Sequence, residues 1–192
     1  MKMHRFEKLF VNSDRHGERV ATQAAQRIRR VDPKPGQRVL DVGCGNGAAL
    51  LHLVHTLDLD VTGLDIDPDQ IQAAAQAANG LASARFLVSD ATKLPLPDDR
   101  FDIVYTNKTT HHIADWPNVI AEMARVLKPG GYLIYSDFTA PFGRRLPTRR
   151  GVDTIAQSHL LDRTRHSGSL FHYTAYFRKR VVTQGSATTA SR

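Results

Sequence analysis

The chain has 192 residues, a length that suits one domain, and its 41% hydrophobic and 23% charged content excludes a collagen, a coiled coil or a wholly disordered chain. No apolar run approaches the roughly 18–20 residues that span a bilayer, and MKMHRFEKLF has no apolar core of signal-peptide length. The single cysteine, Cys44, excludes an intrachain disulfide and a Cys-based zinc site, so a cytoplasmic location is expected. The net charge of +7 is unevenly placed: an acidic centre, 39–138, lies between the basic flanks 1–38 and 139–192. Such flanks suit either an anionic partner or a plain solvated surface.

Phe6 to Ile28 contains no proline and predicts a helix that stops before Asp32-Pro33. PKPGQ is a turn into a first strand, RVLDV at 38–42. Leu50, Leu51, Leu53, Val54 and Leu57 recur at helical spacing. A second strand follows at 59–64, then a helix opened by Pro68 and closed at Gly80. ARFLV at 84–88, FDIVYT at 101–106 and YLIYSDF at 132–138 predict three more strands. A helix over 117–127 precedes the last of these and ends at Lys128-Pro129-Gly130-Gly131. LFHYTAYFR at 170–178 alternates like a half-exposed antiparallel strand. Strands alternating with helices predict an α/β, Rossmann-like doubly wound sheet, mostly parallel with a C-terminal antiparallel strand.

Chemistry concentrates in Val39-Leu40-Asp41-Val42-Gly43-Cys44-Gly45-Asn46-Gly47. Three glycines between a strand and a helix let backbone approach a ligand, and the helix start offers free N–H groups. Asp65 ends the second strand 22 residues after Gly43, where a carboxylate accepts ribose hydroxyls, and Ile66 can pack on an adenine face. These features suit an NAD enzyme as well as any other adenosine binder. Asp41 separates the two, because a carboxylate there repels a pyrophosphate and attracts an amino group. Asp90, followed by Ala91 at the end of the third strand, is placed to accept from an adenine amine.

DVGCGNG, LDID, SDATKLPLPDDRFDIVY, HHI and RVLKPGGYLI together resemble the class I S-adenosylmethionine-dependent methyltransferases of the small-molecule, methyltransferase type 11/25-like group, over about residues 38–138. The resemblance implies S-adenosyl-L-methionine as cofactor, with Gly43, Gly45, Asn46 and Gly47 as its loop. It also implies that Asp41 faces the methionine amino group, Asp65 and Ile66 the ribose and adenine, Asp90 and Ala91 the adenine, and Asn107 the floor near the transferred methyl. It implies a seven-stranded sheet with the cofactor core at 38–138. The chain reads as one domain, 1–180, with a helical lid at 1–31 and a sheet edge and pocket wall at 139–180, and the 181–192 stretch, which lacks an apolar period, as a disordered tail.

Methyl transfer needs orientation and a dry pocket, and a general base only for a protonated acceptor. His111 and His112 are the base candidates, because histidine titrates near neutrality; no catalytic residue is otherwise assigned. His52 and His55 share a helix face, but no carboxylate or cysteine joins them as a metal site. Asn107-Lys108-Thr109 lacks the Pro-Pro-aromatic run of nucleic-acid amino-methylating enzymes, which disfavours nucleic acid. An RNA-modifying methyltransferase and a catalytically silent binding protein of the same fold stay as alternatives, with an NAD oxidoreductase behind them.

The expected partner is a small-molecule acceptor, with O, N and C open as its reacting atom and the protein a monomer or homodimer. Arg144, Arg145 and Arg149 just past the fifth strand predict a carboxylate or phosphate on that acceptor. Phe6, Phe10, Arg15 and Arg19 are expected at the pocket mouth. Only 31 residues separate Phe138 from Leu170, and none shows a clear β pattern. A sixth strand there is either short and polar, or absent, leaving the sheet truncated to six strands.

Overall fold

The computed structural model describes residues 14–139 and 146–182. In chain order the elements are α1 (Asp14–Arg29), β1 (Arg38–Val42), α2 (Ala48–Leu57), β2 (Asp60–Asp65), α3 (Pro68–Ala78), β3 (Ala84–Val88), β4 (Phe101–Asn107), a 3-10 turn (Thr110–His112), α4 (Trp116–Val126), β5 (Leu127–Phe138), α5 (Arg149–Ser158), β6 (Leu161–Ser169) and β7 (His172–Lys179). The expected helix start at Phe6 and the tail beyond residue 182 lie outside the described residues, as do Phe10, Arg144 and Arg145.

Local chemistry sets the helix ends. Gly47, at φ 75°, turns the chain left-handed into α2, and Asp58 ends that helix in the same region. The Asp67 carboxylate accepts from Asp69 N ahead of Pro68 at the first turn of α3, and Asn79 with Gly80 closes it at positive φ. Thr148 caps α5 by accepting from Gly151 N at 3.0 Å.

The seven strands form one sheet in the order β3-β2-β1-β4-β5-β7-β6. β1 to β5 are parallel, and β7 runs antiparallel between β5 and β6. One face packs Leu40, Val42, Val104, Leu133 and Tyr135 under Val119, Ile120 and Met123 of α4 and Val152 and Ala156 of α5. The other packs Val39, Val61, Ile103, Tyr105 and Ile134 under Ala24, Ala25 and Ile28 of α1 and Leu50 and Leu53 of α2. The strand order reverses between β1 and β4, so the chain leaving β1 runs to one face of the sheet and the chain leaving β4 to the other, and a crevice lies at their carboxyl ends. Among the described residues no helix is long and apolar enough to cross a membrane.

Three expectations are corrected here. The sheet is not truncated: β6 is a full nine-residue strand, LDRTRHSGS, with only Leu161 buried. It escapes pattern recognition because it is an edge strand exposed on both faces, so no apolar alternation is demanded of it. β7 is not half-exposed; Tyr173 through Phe177 are all buried, because the sheet interior is covered by helices on both sides. β5 begins at Leu127 rather than Tyr132, since Lys128-Pro129-Gly130-Gly131 continues the strand across a register shift opposite Phe101 and Ile103.

The interior position of β7 has a measurable consequence. Phe177 is fully buried and Phe171 is 60% exposed, although both belong to one alternating set. Phe177→Ala is expected to cost about 3–5 kcal/mol in urea unfolding, and Phe171→Ala well under one. Equal small losses would restore the half-exposed strand.

Candidate functional site

The loop after β1 is built by close approach. Gly43 sits at φ 83°, and a Cβ there would lie 2.2 Å from Thr109 Oγ1, so this glycine lets the loop after β4 press against the loop after β1. At Gly47 a Cβ would strike the Phe86 ring at 2.7 Å. Gly45 differs: apart from Gln70 Oε1 at 3.8 Å, the space beside it is open. Its N–H donates to Asp65 Oδ2 at 2.9 Å, while Asp65 Oδ1 accepts from Asp67 N at 3.0 Å. Asn46 Oδ1 accepts from Ala48 N at the start of α2.

Two buried acceptors flank this loop without a donor among the described residues: Asp41 Oδ1 and Gln70 Oε1. Burial pushes the Asp41 carboxyl up to about 8, and the nearby Asp65 charge adds to the shift. A buried acid with an unpartnered oxygen is the feature a cationic ammonium would satisfy. Cys44 offers no nucleophile, because burial, with Asp41 and Asp65 nearby, pushes its thiol far above the usual range.

Ile66 is 55% exposed and Val88 53%, an uncovered apolar pair at the ends of β2 and β3. Asp90 beside them is exposed, and its Oδ1 accepts from Thr92 N and Thr92 Oγ1, each at 2.8 Å. Those bonds hold its carboxyl below the usual range. Ala91 packs against the α4-side core. Aromatic-sized apolar surface, one outward carboxylate and the Asp65 carboxylate therefore line a strip running from the glycine loop to β3.

The turn after β4 carries the two histidines expected as base candidates. Lys108 takes φ 55°, a strained conformation for a residue with a side chain, and the chain then curls so that consecutive groups converge on Asp137. Asp137 is fully buried on β5. Its Oδ2 accepts from Thr109 N, Thr110 N, Thr110 Oγ1 and His111 N, and its Oδ1 from Phe138 N and His111 Nδ1, the last at 2.6 Å. Burial alone would raise this carboxyl, yet the donors, His111 and Thr110 foremost, hold it below the usual range. An ionised Asp137 makes Nδ1 of His111 the donor of their bond, so Nε2 is the ring nitrogen not engaged by Asp137. The His112 ring lies tilted 40° against His111 with centroids 3.8 Å apart, and Thr110 Oγ1 also bonds Tyr135 Oη at 2.7 Å.

A second polar group lies on the α1 side of the same crevice. Arg27 of α1 donates to Tyr105 Oη and to Asn107 Oδ1, each at 3.1 Å. Ser136 Oγ bonds Thr174 Oγ1 at 3.1 Å and His172 Nε2 at 3.3 Å. The Phe138 ring meets His111 and His172 edge-on and carries the Lys108 ammonium 5.3 Å from its centroid.

The structure thus brings Asp41, Gly43, Gly45, Asn46, Gly47 and Asp65 together around one loop, with Ile66, Asp90, Ala91 and Asn107 along the same carboxyl edge. His111 lies on the turn that touches Gly43. Of the arginines expected to bind an anion, Arg144 and Arg145 lie outside the described residues, and Arg149 sits over the Tyr173 ring at 5.8 Å. Sequence reasoning missed Gln70, Thr109, Asp137, Arg27 and His172. Gln70 had a signal, being a polar residue on the buried stripe of α3 with Ile71, Ala74 and Ala78. Asp137 had another, a carboxylate inside an otherwise buried strand.

Residues 40–135 match the family described as "Methyltransferase domain". The chain is 41% identical over 112 residues to phosphoethanolamine N-methyltransferase 3 of Arabidopsis thaliana, covering 58% of this chain and 23% of that one. It is 33% identical over 185 residues to 27-O-demethylrifamycin SV methyltransferase of Amycolatopsis mediterranei, covering 91% and 64%. It therefore spans less than two thirds of either relative. The crystal structure of a SAM-dependent methyltransferase from Aquifex aeolicus superposes with a TM-score of 0.74 at 22% identity, covering 92% of this chain and 99% of that one. This chain belongs to the methyltransferase domain family.

Proposed function

We propose that this protein transfers a methyl group from S-adenosylmethionine to a small-molecule acceptor, with His111 as the base that takes the acceptor's proton. The observation that carries the proposal is the contact between Gly43 and Thr109, which sets the His111–Asp137 pair beside the glycine loop. Family membership and the orphaned Asp41 oxygen support the cofactor. Asp41 and Gln70 would accept from its amino group, Asp65 from the ribose hydroxyls, and Ile66 and Val88 would cover the adenine, with Asp90 and Ala91 at its edge.

The cofactor supplies a methyl group already activated on a sulfonium. The protein must place the acceptor and manage its proton. His111 Nε2 accepts the proton of a hydroxyl or amine, and Asp137, anchored by backbone donors, stabilises the imidazolium that results. Asn107, held by Arg27, lines the floor of the crevice. The helical lid expected at 1–31 is part of this proposal: α1 ends over β4, with Arg27 reaching into the crevice. A location in the cytoplasm belongs to it as well, supported by the absence of a membrane-crossing helix among the described residues.

The test is methyl transfer from radiolabelled S-adenosylmethionine to a panel of phenols, alcohols and amines. Transfer to one chemical class would support the proposal. Cofactor binding with no transfer to any class, or transfer only to RNA, would overturn the acceptor assignment.

A further inference from the structure

The α1-side group described above has an unbalanced charge. Among the described residues Arg27 bonds the neutral oxygens of Tyr105 and Asn107, and Lys108 contacts the face of Phe138. Among the described residues no carboxylate pairs with either cation. The nearest acid along β5, Asp137, is fully buried and already accepts six hydrogen bonds. Side chains alternate along strands, so Asn107, Ser136, Phe138, His172 and Thr174 share the α1 face while Asp137 points to the other. Guanidinium, ammonium and imidazole therefore stand at one end of the crevice beside the Phe138 ring, 43% exposed, with the buried Ser136 and Thr174 hydroxyls bonded behind the imidazole. Burial first, then the charges of Arg27 and Lys108 with a smaller push from Arg149, hold the His172 imidazole below its usual value against the opposing charge of Asp137.

We infer that this end of the crevice is a subsite for an anionic group on the acceptor, a carboxylate held by Arg27 and Lys108 beside His172, while an aromatic body lies on Phe138 and its hydroxyl reaches His111. Arg27 and Lys108 take the role that the sequence had assigned to the arginines after β5. The inference rests on the proposed methyl transfer only for the last clause; the anion subsite itself does not need the cofactor. A planar carboxylate suits the pair because a guanidinium and an ammonium on neighbouring elements can each take one oxygen. An aryl ring beneath an ammonium also satisfies the cation–π contact that Lys108 makes in its absence.

The probe is sodium benzoate, followed by the imidazole NMR signals of the full chain, with S-adenosylhomocysteine binding measured calorimetrically on the same samples. Benzoate is expected to shift His172 and to raise its titration midpoint, because an anion replaces part of the repulsion it feels. His52 and His55, on the far helix α2, should not move. Lys108→Gln, an exposed position that should fold, and Arg27→Gln are each expected to weaken benzoate about tenfold, and benzyl alcohol should not shift His172 at all. Benzoate moving His172 no more than His52, or binding Lys108→Gln and Arg27→Gln within twofold of wild type, would overturn the subsite. Benzoate binding without S-adenosylhomocysteine binding would uphold the subsite and remove the methyl-transfer proposal instead.

Discussion

Asp137→Asn is expected to lower the melting temperature by about 10 °C and to reduce kcat at least a hundredfold. The carboxylate is buried without access to water and answers six donors, and an amide in its place turns an NH2 group toward some of them. Leaving a buried charge network half-satisfied costs about 3–5 kcal/mol, and a chain of this size loses roughly 2–4 °C per kcal/mol. The pH dependence has a definite sign. The folded value of Asp137 is depressed, so its stabilisation is fully present above the unfolded carboxylate value of about 4 and is lost as pH falls through the folded value. Wild type and Asp137→Asn should therefore converge in stability below about pH 4. His111→Asn separates chemistry from folding, because five of the six donors remain. Its kcat should fall by about 10²–10⁴, and cofactor affinity should stay within twofold. Unchanged kcat in His111→Asn would leave the pair a structural brace only.

Asp41 predicts the opposite pH behaviour. Its folded value is raised to about 8 by burial and by Asp65, so the protein without cofactor favours the protonated acid. Stability should decline as pH rises from about 4 through 8, and Asp41→Asn should remove that decline. An ammonium docked on the orphaned oxygen would pull the value back down. Binding at pH 7 should then release a proton, seen as a binding enthalpy that depends on the buffer's ionisation heat, and affinity should rise between pH 6 and 8. Asp41→Asn is expected to weaken the cofactor at least about 30-fold, the lower end for removing one partner of a buried charge pair, and to abolish the proton release. Affinity that is flat with pH in wild type would place the amino group elsewhere.

What the sequence made legible is what is local along the chain. The Gly43–Gly47 loop, Asp41 and Asp65 sit within short segments whose turn chemistry is dictated by strand–glycine–helix order, and β1 and β3 were placed residue for residue. Asp137 and His111 are 26 positions apart and meet only because β4 and β5 pair in parallel and Lys108 turns the chain back. His172 joins Ser136 only through the antiparallel pairing of β7, and Arg27 reaches Asn107 only because α1 packs over β4. No periodicity in one segment reports such meetings. β6 was illegible for a different reason: an exposed edge strand carries Arg163, Arg165 and His166 without an apolar face, and a pattern search looks for that face. The burial of β7 was misjudged because its alternation of Tyr, Thr, Ala and Phe reads alike whether one face or both are covered.

The measurement that bears most directly on the proposed chemistry is calorimetric titration of wild type and Asp65→Ala with S-adenosylmethionine, S-adenosylhomocysteine and NAD. Asp65 takes the Gly45 and Asp67 amides while facing the crevice, so its loss should remove both the loop's brace and the ribose acceptor. Binding of the first two ligands to wild type, at least a hundredfold weaker in Asp65→Ala, and no binding of NAD, is the expected result. NAD binding, or S-adenosylmethionine binding that Asp65→Ala leaves intact, would contradict the assignment of the glycine loop.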